Sequence, residues 1–325
     1  MKHPQGKRLP GAFFLKQAAL TCCLAGLFLP SIQAPAQTGR REPEAVSLLG
    51  KPLYPETLPE DVRTKRETEL EKAREDFRRT PDHPIRIIWL GRRNAYLGRY
   101  RQAIKIFSDG IEKYPDNAKL YRHRGHRYIT VRELDKAVAD LEKATQLIQG
   151  KPDEIEPDGL PNTFNTPRST SHSNIWYHLG LAYYLKGDFE NALRSYRACM
   201  PFSEINDDML CATSHWLYMT CRRLGLEKEA SEVLRRIKDD MEIMENQSYH
   251  KLLLMYQGGT TPEEVLSGAT ADGVTAATEA YGVANWYLYN GQTEQAKRMF
   301  GKILEGSAWA AFGYIAAEAD LMRLQ

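Results

Sequence analysis

Between Asn174 and Met200 (NIWYHLGLAYYLKGDFENALRSYRACM) bulky apolar and small residues recur at helical spacing. Trp176, Leu179, Gly180 and Tyr183 fall at i, i+3, i+4 and i+7, one stripe of a 3.6-residue helix. Glycine inside a helix costs about 1 kcal/mol against alanine, so Gly180 on that stripe predicts a close helix contact. Lys186-Gly187-Asp188 then breaks the pattern, Gly187 ending one helix and Asp188 capping the next. The second helix places Ala192, Tyr196 and Cys199 on one face. Two such antiparallel helices keep an outer apolar face that only further copies can cover.

The copies are legible on both sides. Tyr121, Gly125, Tyr128, Ala137, Leu141 and Ala144 repeat the spacing upstream, and Leu90, Gly91, Ala103, Phe107 and Pro115 repeat it once earlier. Downstream come Leu217, Cys221, Ala230 and Leu234, then Tyr287, Ala296 and Phe300. Ala103 and Ala137 are 34 residues apart, the period of a tetratricopeptide repeat. Over residues 85–310 the chain resembles that family, and Trp176 to Tyr196 carries its W-x2-L-G-x2-Y…A-x3-F signature best. Asn94 in place of the signature Tyr, and Ser214 and Tyr218 in place of the aromatic and the Gly, depart from it. The fold class expected is therefore all-α, a solenoid of about five to six hairpin repeats plus capping helices. The repeats are placed near 84–117, 118–150, 173–206, 211–244, 246–276 (degenerate) and 277–306. Residues 307–325 form a closing helix, and Ala73 and Phe77 belong to a polar half-repeat at the front. The resemblance implies a right-handed superhelix whose inner helices line a concave ligand groove.

The ends change the picture of charge. MKHPQGKRLP is basic, Ala18 to Leu29 is a short apolar run, and Ala34-Pro35-Ala36 is a small-residue cleavage site, so residues 1–36 read as a secretory signal. Export to a periplasmic or extracellular space follows, with no stable membrane insertion after cleavage. The whole chain has 44 Lys and Arg against 42 Asp and Glu. Removing Lys2, Lys7, Arg8 and Lys16 leaves 44 − 4 = 40 basic groups against 42 acidic, a balance that does not favour nucleic acid as partner. Residues 37–60 are Pro-rich and aperiodic and read as a mobile linker. Lys151 to His172 is an inserted loop. Its Glu154-x-Glu156-x-Asp158-Gly159 alternates like a calcium loop, but Glu stands first and Asn165 replaces the bidentate Glu. It reads as a solvated acidic loop. Cys211 and Cys221, ten residues or about 15 Å apart on one helix, cannot bridge.

No H-E-x-x-H, G-x-S-x-G, P-loop or C-x-x-C is present, so neither a catalytic site nor a resident cofactor or metal is expected. Candidate binding residues lie opposite the core stripes: Arg92, then Arg122, His123 and His126, then Tyr177, His178 and Tyr184, then His215, Trp216 and Arg222. Arginine offers bidentate carboxylate recognition and the aromatics offer rigid contact area. The expected partner is a protein or peptide-like, anionic ligand, its binding strengthened below about pH 6.5 by imidazolium. A small-ligand or metal site in the His-rich groove, or an enzyme using His and Arg as acid and base, are the other readings left open. For processing, N-terminal sequencing of the exported protein should give Gln37, free or cyclised; an intact Met1 in the envelope fraction would refute the signal.

Overall fold

Each turn between paired helices needs a residue in the left-handed region, and the chain supplies one at regular intervals. A computed structural model describes residues 42–267 and 273–325; the expected signal and its expected cleavage site lie outside them. Among the described residues are fourteen helices and one short β-hairpin. Helix α1 (Glu60–Arg79) leads, followed by the pairs α2/α3 (Pro84–Tyr96, Tyr100–Lys113), α4/α5 (Ala118–Thr130, Leu134–Leu147) and α6/α7 (Ser171–Lys186, Phe189–Ser203). Then come α8/α9 (Asp207–Arg223, Glu227–Leu234), α10/α11 (Gln247–Gln257, Pro262–Ser267) and α12/α13 (Gly273–Tyr289, Thr293–Glu305), and α14 (Phe312–Arg323) closes the chain. The first helix of each pair packs on the first helix of the next, making an inner layer backed by the partner helices. This is an all-α solenoid of helical hairpins.

Local chemistry sets the elements. Gly187 ends α6 at φ +82°, and the Asp188 side chain accepts from the Asn191 backbone N–H to start α7. Thr170 and Ser173 form a reciprocal capping box at the start of α6. Thr261 and Glu264 do the same for α11. A Cβ on Gly180 would stand 2.8 Å from the Tyr196 ring, which is the close contact its place on the stripe demanded. Helix α8 starts at Asp207, earlier than its pattern suggested, because Asn206 caps it through the Met209 N–H.

Three expectations need correction. Residues 42–60 are not a free linker: Ala45–Val46 (β1) and Pro52–Leu53 (β2) pair antiparallel, with Ala45 and Leu53 buried. This hairpin straps the two ends of the solenoid together. Arg101 at the start of α3 holds Glu44, Leu48 N–H donates to Glu318 of α14, and Trp309 Nε1 donates to the Tyr54 carbonyl at 2.6 Å. Second, α6 has no open face. His178, Leu181 and Leu185 are as buried as Leu179, while Trp176, expected in the core, is only half-buried. Third, α14 does more than cap α12 and α13; it folds back across the inner layer onto α6.

Two acidic residues of α14 explain that return. Glu318 accepts from Arg132 Nε and Nη2, both at 3.0 Å, in a buried bidentate pair, and Arg132 also donates to the Trp309 carbonyl. Asp320 takes Arg223 of α8 at 2.8 Å and the Tyr281 hydroxyl at 2.8 Å. Arg323 reaches the Leu185 carbonyl at the end of α6. Arg132 itself sits at φ +66°, in the α4–α5 turn where other pairs have Gly98, Gly187, Gly225, Gly258 or Gly291. A side chain held there costs about 1–3 kcal/mol, offset by its buried pairing. Glu318→Gln should therefore destabilise by about 3–5 kcal/mol in urea titration, since Arg132 would be left buried without its counter-charge. Arg132→Gly with Glu318→Leu, which removes both charges and the strain, should recover most of that loss. A Glu318→Gln protein with wild-type stability would show that the pair does not hold α14.

Candidate binding cavity

With α14 lying over the C-terminal ends of α4, α6 and α8, what is left of the concave face is a cavity of about 330 Å³. It runs from α2 and α4 past α6 to α8 and α10, with Phe312 at the head of α14 forming part of the wall. Six of the ten expected site residues line it: Arg92, Arg122, His123, His126, Tyr177 and His178. Arg122 and Arg127, five residues apart on α4, are about 7.5 Å apart along the helix axis and both border the cavity.

The other four expected residues are elsewhere. The Tyr184 hydroxyl is buried between Tyr281 and Asn285 beneath α14, and burial pushes its pKa up to about 12. Trp216 is core, edge-on to Tyr184 and stacked on Tyr281. His215 stacks on Tyr249 and Tyr256, its Nδ1 buried without a partner. Arg222 sits over the Tyr289 ring and pairs with Glu227 at the far end of α8. Residues of α12 and α14 cover Tyr184 and Trp216, α10 covers His215, and Arg222 stays half-exposed against the end of α12.

The inserted loop is the second departure. Glu156 is buried and pairs with Arg122 at 3.1 Å, so the segment is not simply solvated. Arg92 donates to the Pro157 carbonyl and Arg93 to the Gly159 carbonyl, each at 2.8 Å, and Asn162 donates to Glu245 at 2.7 Å. These bonds lay the loop along the cavity from α2 to the start of α10. Sequence reading also missed Arg127, Tyr96, Asn174, Glu245 and Tyr249, all of which border the cavity. Arg127, one position after His126, carried the signal of a third cation on α4.

Hydrogen bonding fixes the histidine tautomers. A guanidinium can only donate, so His123 Nδ1 accepts from Arg122 at 2.9 Å and carries its proton on Nε2, which faces Glu156 at 3.9 Å. A carbonyl can only accept, so His178 Nδ1 donates to the Asn174 carbonyl at 2.6 Å and leaves Nε2 with a lone pair. His126 lies against His178, ring centroids 4.3 Å apart, and against Phe312. Burial first, then the neighbouring guanidiniums, hold His123, His126 and His178 well below the usual imidazole range. The expectation of imidazolium forming near pH 6.5 is therefore wrong for the free protein. The same guanidiniums oppose a metal cation at these rings, and no metal-binding group of His, Cys, Asp or Glu occurs among the described residues. Cys199, Cys211 and Cys221 are free and buried.

Arg127 is the least compensated charge. Burial, then the other arginines, pulls its guanidinium down to about 10 against the pull of Tyr100 and Tyr96. Its group lies 5.6 Å over the Tyr100 ring, and no carboxylate among the described residues is within ion-pair distance. The other arginines of α4 are matched, Arg122 by Glu156 and Arg124 by a bidentate pair with Asp140.

Residues 173–200 match the model of the Tetratricopeptide repeat family. Over 138 residues the chain is 25% identical to the BBSome complex member BBS4 of Bos taurus, a match spanning 42% of this chain and only 22% of that relative. Solved structures with a similar course include a tetratricopeptide repeat protein from Parabacteroides merdae (14% identity, 79% of this chain and 98% of that one, TM-score 0.45). Another is YrrB, described as a TPR protein with an unusual peptide-binding site (15% identity, 74% and 96% covered, TM-score 0.42). Among the described residues, no helix is long and apolar enough to cross a membrane.

The neutral histidines give stability a defined pH dependence. His215 is pushed down to about 3 by burial alone, and the three cavity histidines are lowered too. Unfolded, each takes a proton near pH 6.5. Below that pH the unfolded chain binds more protons, so the stability present at neutral pH falls as the solution is acidified. Each histidine contributes up to about 1.4 kcal/mol per pH unit within its window. His215→Phe, which keeps the stack and buries no orphan nitrogen, should flatten the fall between about pH 6 and 4 by one proton's worth. Chemical denaturation at several pH values measures it, and an unchanged slope would contradict a neutral buried His215.

Proposed function

We propose that this helical-hairpin solenoid, whose residues 173–200 match the tetratricopeptide repeat family, is an interaction scaffold that binds a carboxylate-bearing, peptide-like ligand in the cavity between α2, α4, α6 and α10. Arg127 carries this reading: a guanidinium without a carboxylate, bordering a cavity, is stabilised by whatever anion enters. A planar fork of donors suits a carboxylate, and the His178 Nε2 lone pair adds an acceptor for a ligand N–H that fixes orientation. The chain acts by binding and does no chemistry. Its basic, apolar and small-residue leader supports export to a periplasmic or extracellular space. The fold-back of α14 argues against a long helix or extended peptide lying through the solenoid, so recognition centres on a chain end or a single residue.

Arg127→Met keeps the aliphatic stem and removes the charge. Native mass spectrometry with a pool of short peptides bearing free C-terminal carboxylates, beside the same pool amidated, should show the wild type retaining only the free acids. The variant should lose them, with affinity down by roughly ten- to a hundredfold for a charge-assisted bond worth about 1.5–3 kcal/mol. Equal retention of acids and amides would end the carboxylate reading.

A further inference from the structure

The same cavity has a second unmatched charge, of opposite sign and on the opposite side. Glu245, at the entry to α10, accepts from Asn162 at 2.7 Å and has no Lys or Arg within ion-pair distance among the described residues; the nearby Arg168 is taken by Asp208. Glu245 is exposed at the border of the cavity, and partial desolvation raises its carboxyl pKa. Beside it are two amides whose N–H groups are spent. Asn174 gives its amide to Ser169 Oγ at 2.9 Å, and Asn246 gives its amide to the Asp208 carbonyl at 3.2 Å. Each keeps its carbonyl oxygen as an acceptor, so this side of the cavity presents acceptors and the α4 side presents donors. Arg122 also borders the donor side, already paired with Glu156.

Resting on the carboxylate reading, we propose that the ligand is a zwitterion of amino-acid or dipeptide size. Its carboxylate is held at Arg127 and its ammonium at Glu245, Asn174 and Asn246. A simple amine would leave Arg127 without a counter-charge, and a simple carboxylate would leave the Glu245, Asn174 and Asn246 oxygens without a donor. An ammonium has three donors and no acceptor, which suits three facing acceptors. Between the two poles Tyr177, Tyr249, Met209 and Phe312 offer an apolar wall for a side chain. A volume of about 330 Å³ is at the low end for ligand sites, which typically run from about 300 to 1,000 Å³.

The test is calorimetric, on the purified chain, with a panel of common free amino acids and dipeptides, their N-acetyl derivatives and their amides. Expected is binding of one or more free zwitterions, weakened at least about tenfold by acetylation and likewise by amidation. Glu245→Gln should remove the advantage of the free amine while leaving affinity for the acetylated acid unchanged, a pattern that mere loss of stability cannot produce. If acetylated and free acids bind wild type alike while amides fail, the zwitterion proposal is overturned and the carboxylate reading stands. If tetrapeptides bind more tightly than amino acids and dipeptides, the size assignment is overturned. If no free or acetylated acid of any length binds, both readings fall.

Discussion

The bidentate pair between Arg132 and Glu318 is the constraint on which the shape of this molecule depends. It joins the second hairpin to the last helix, across 186 positions of sequence, in a place where neither group meets water. Buried ion pairs are weak stabilisers against apolar alternatives but strongly specify register, because one partner without the other is intolerable. The backbone testifies to that specificity: the chain accepts a left-handed arginine where the turn within every other helix pair uses glycine. Leu48 N–H, bonding to the same Glu318 carboxylate, adds the N-terminal hairpin to the junction. First and last elements are thus fastened at one point, and a solenoid that could remain open is drawn into a closed form.

Closure decides what the concave face can do. An open groove would offer its arginines and histidines to a ligand of any length. Here α14 covers the C-terminal ends of the inner helices, turning Tyr184 and Trp216 into core and leaving a cavity near the middle of α4 and the entries of α6, α8 and α10. Burial then acts on the histidines, which stay neutral because cationic neighbours and lack of water both oppose a proton. Positive charge in the cavity therefore belongs to arginine. The loop between α5 and α6 answers part of it with Glu156 and leaves the rest.

Sequence periodicity reached as far as contacts that are local in the chain. Gly180 against Tyr196, Gly187 ending α6, Asp188 capping α7 and Thr261 capping α11 are all made within one hairpin, and each could be read from spacing. The contacts that periodicity missed join distant segments. Residues 42–60 have no helical period because they form a two-strand hairpin, too short for alternation to register. Trp176 was assigned to the core by its stripe, yet α6 is covered on both sides, and the stripe lost its meaning when α14 supplied a second layer. An acidic loop looks solvated until its arginine is known, and Glu156 meets Arg122 only because the loop turns back along the inner layer. One trace of the return was present in the chain all along: Arg132 stands where the turn of a hairpin repeat favours glycine.

The charges along α4 differ in how the rest of the chain meets them. Helix α4 carries Arg122, Arg124 and Arg127. Arg124 is satisfied within its own hairpin by Asp140, a contact that serves stability and could sit in any repeat. Arg122 is satisfied from outside the repeat pattern, by an inserted loop. Arg127 is satisfied by neither, although a carboxylate from either source would relieve it at little structural cost. Glu245 repeats the arrangement with the sign reversed, holding an amide where a cation would bind more strongly. Elsewhere the chain matches its buried arginines closely, since Arg132, Arg223 and Arg168 each meet a carboxylate, and Arg127 departs from that pattern where α4 borders the cavity.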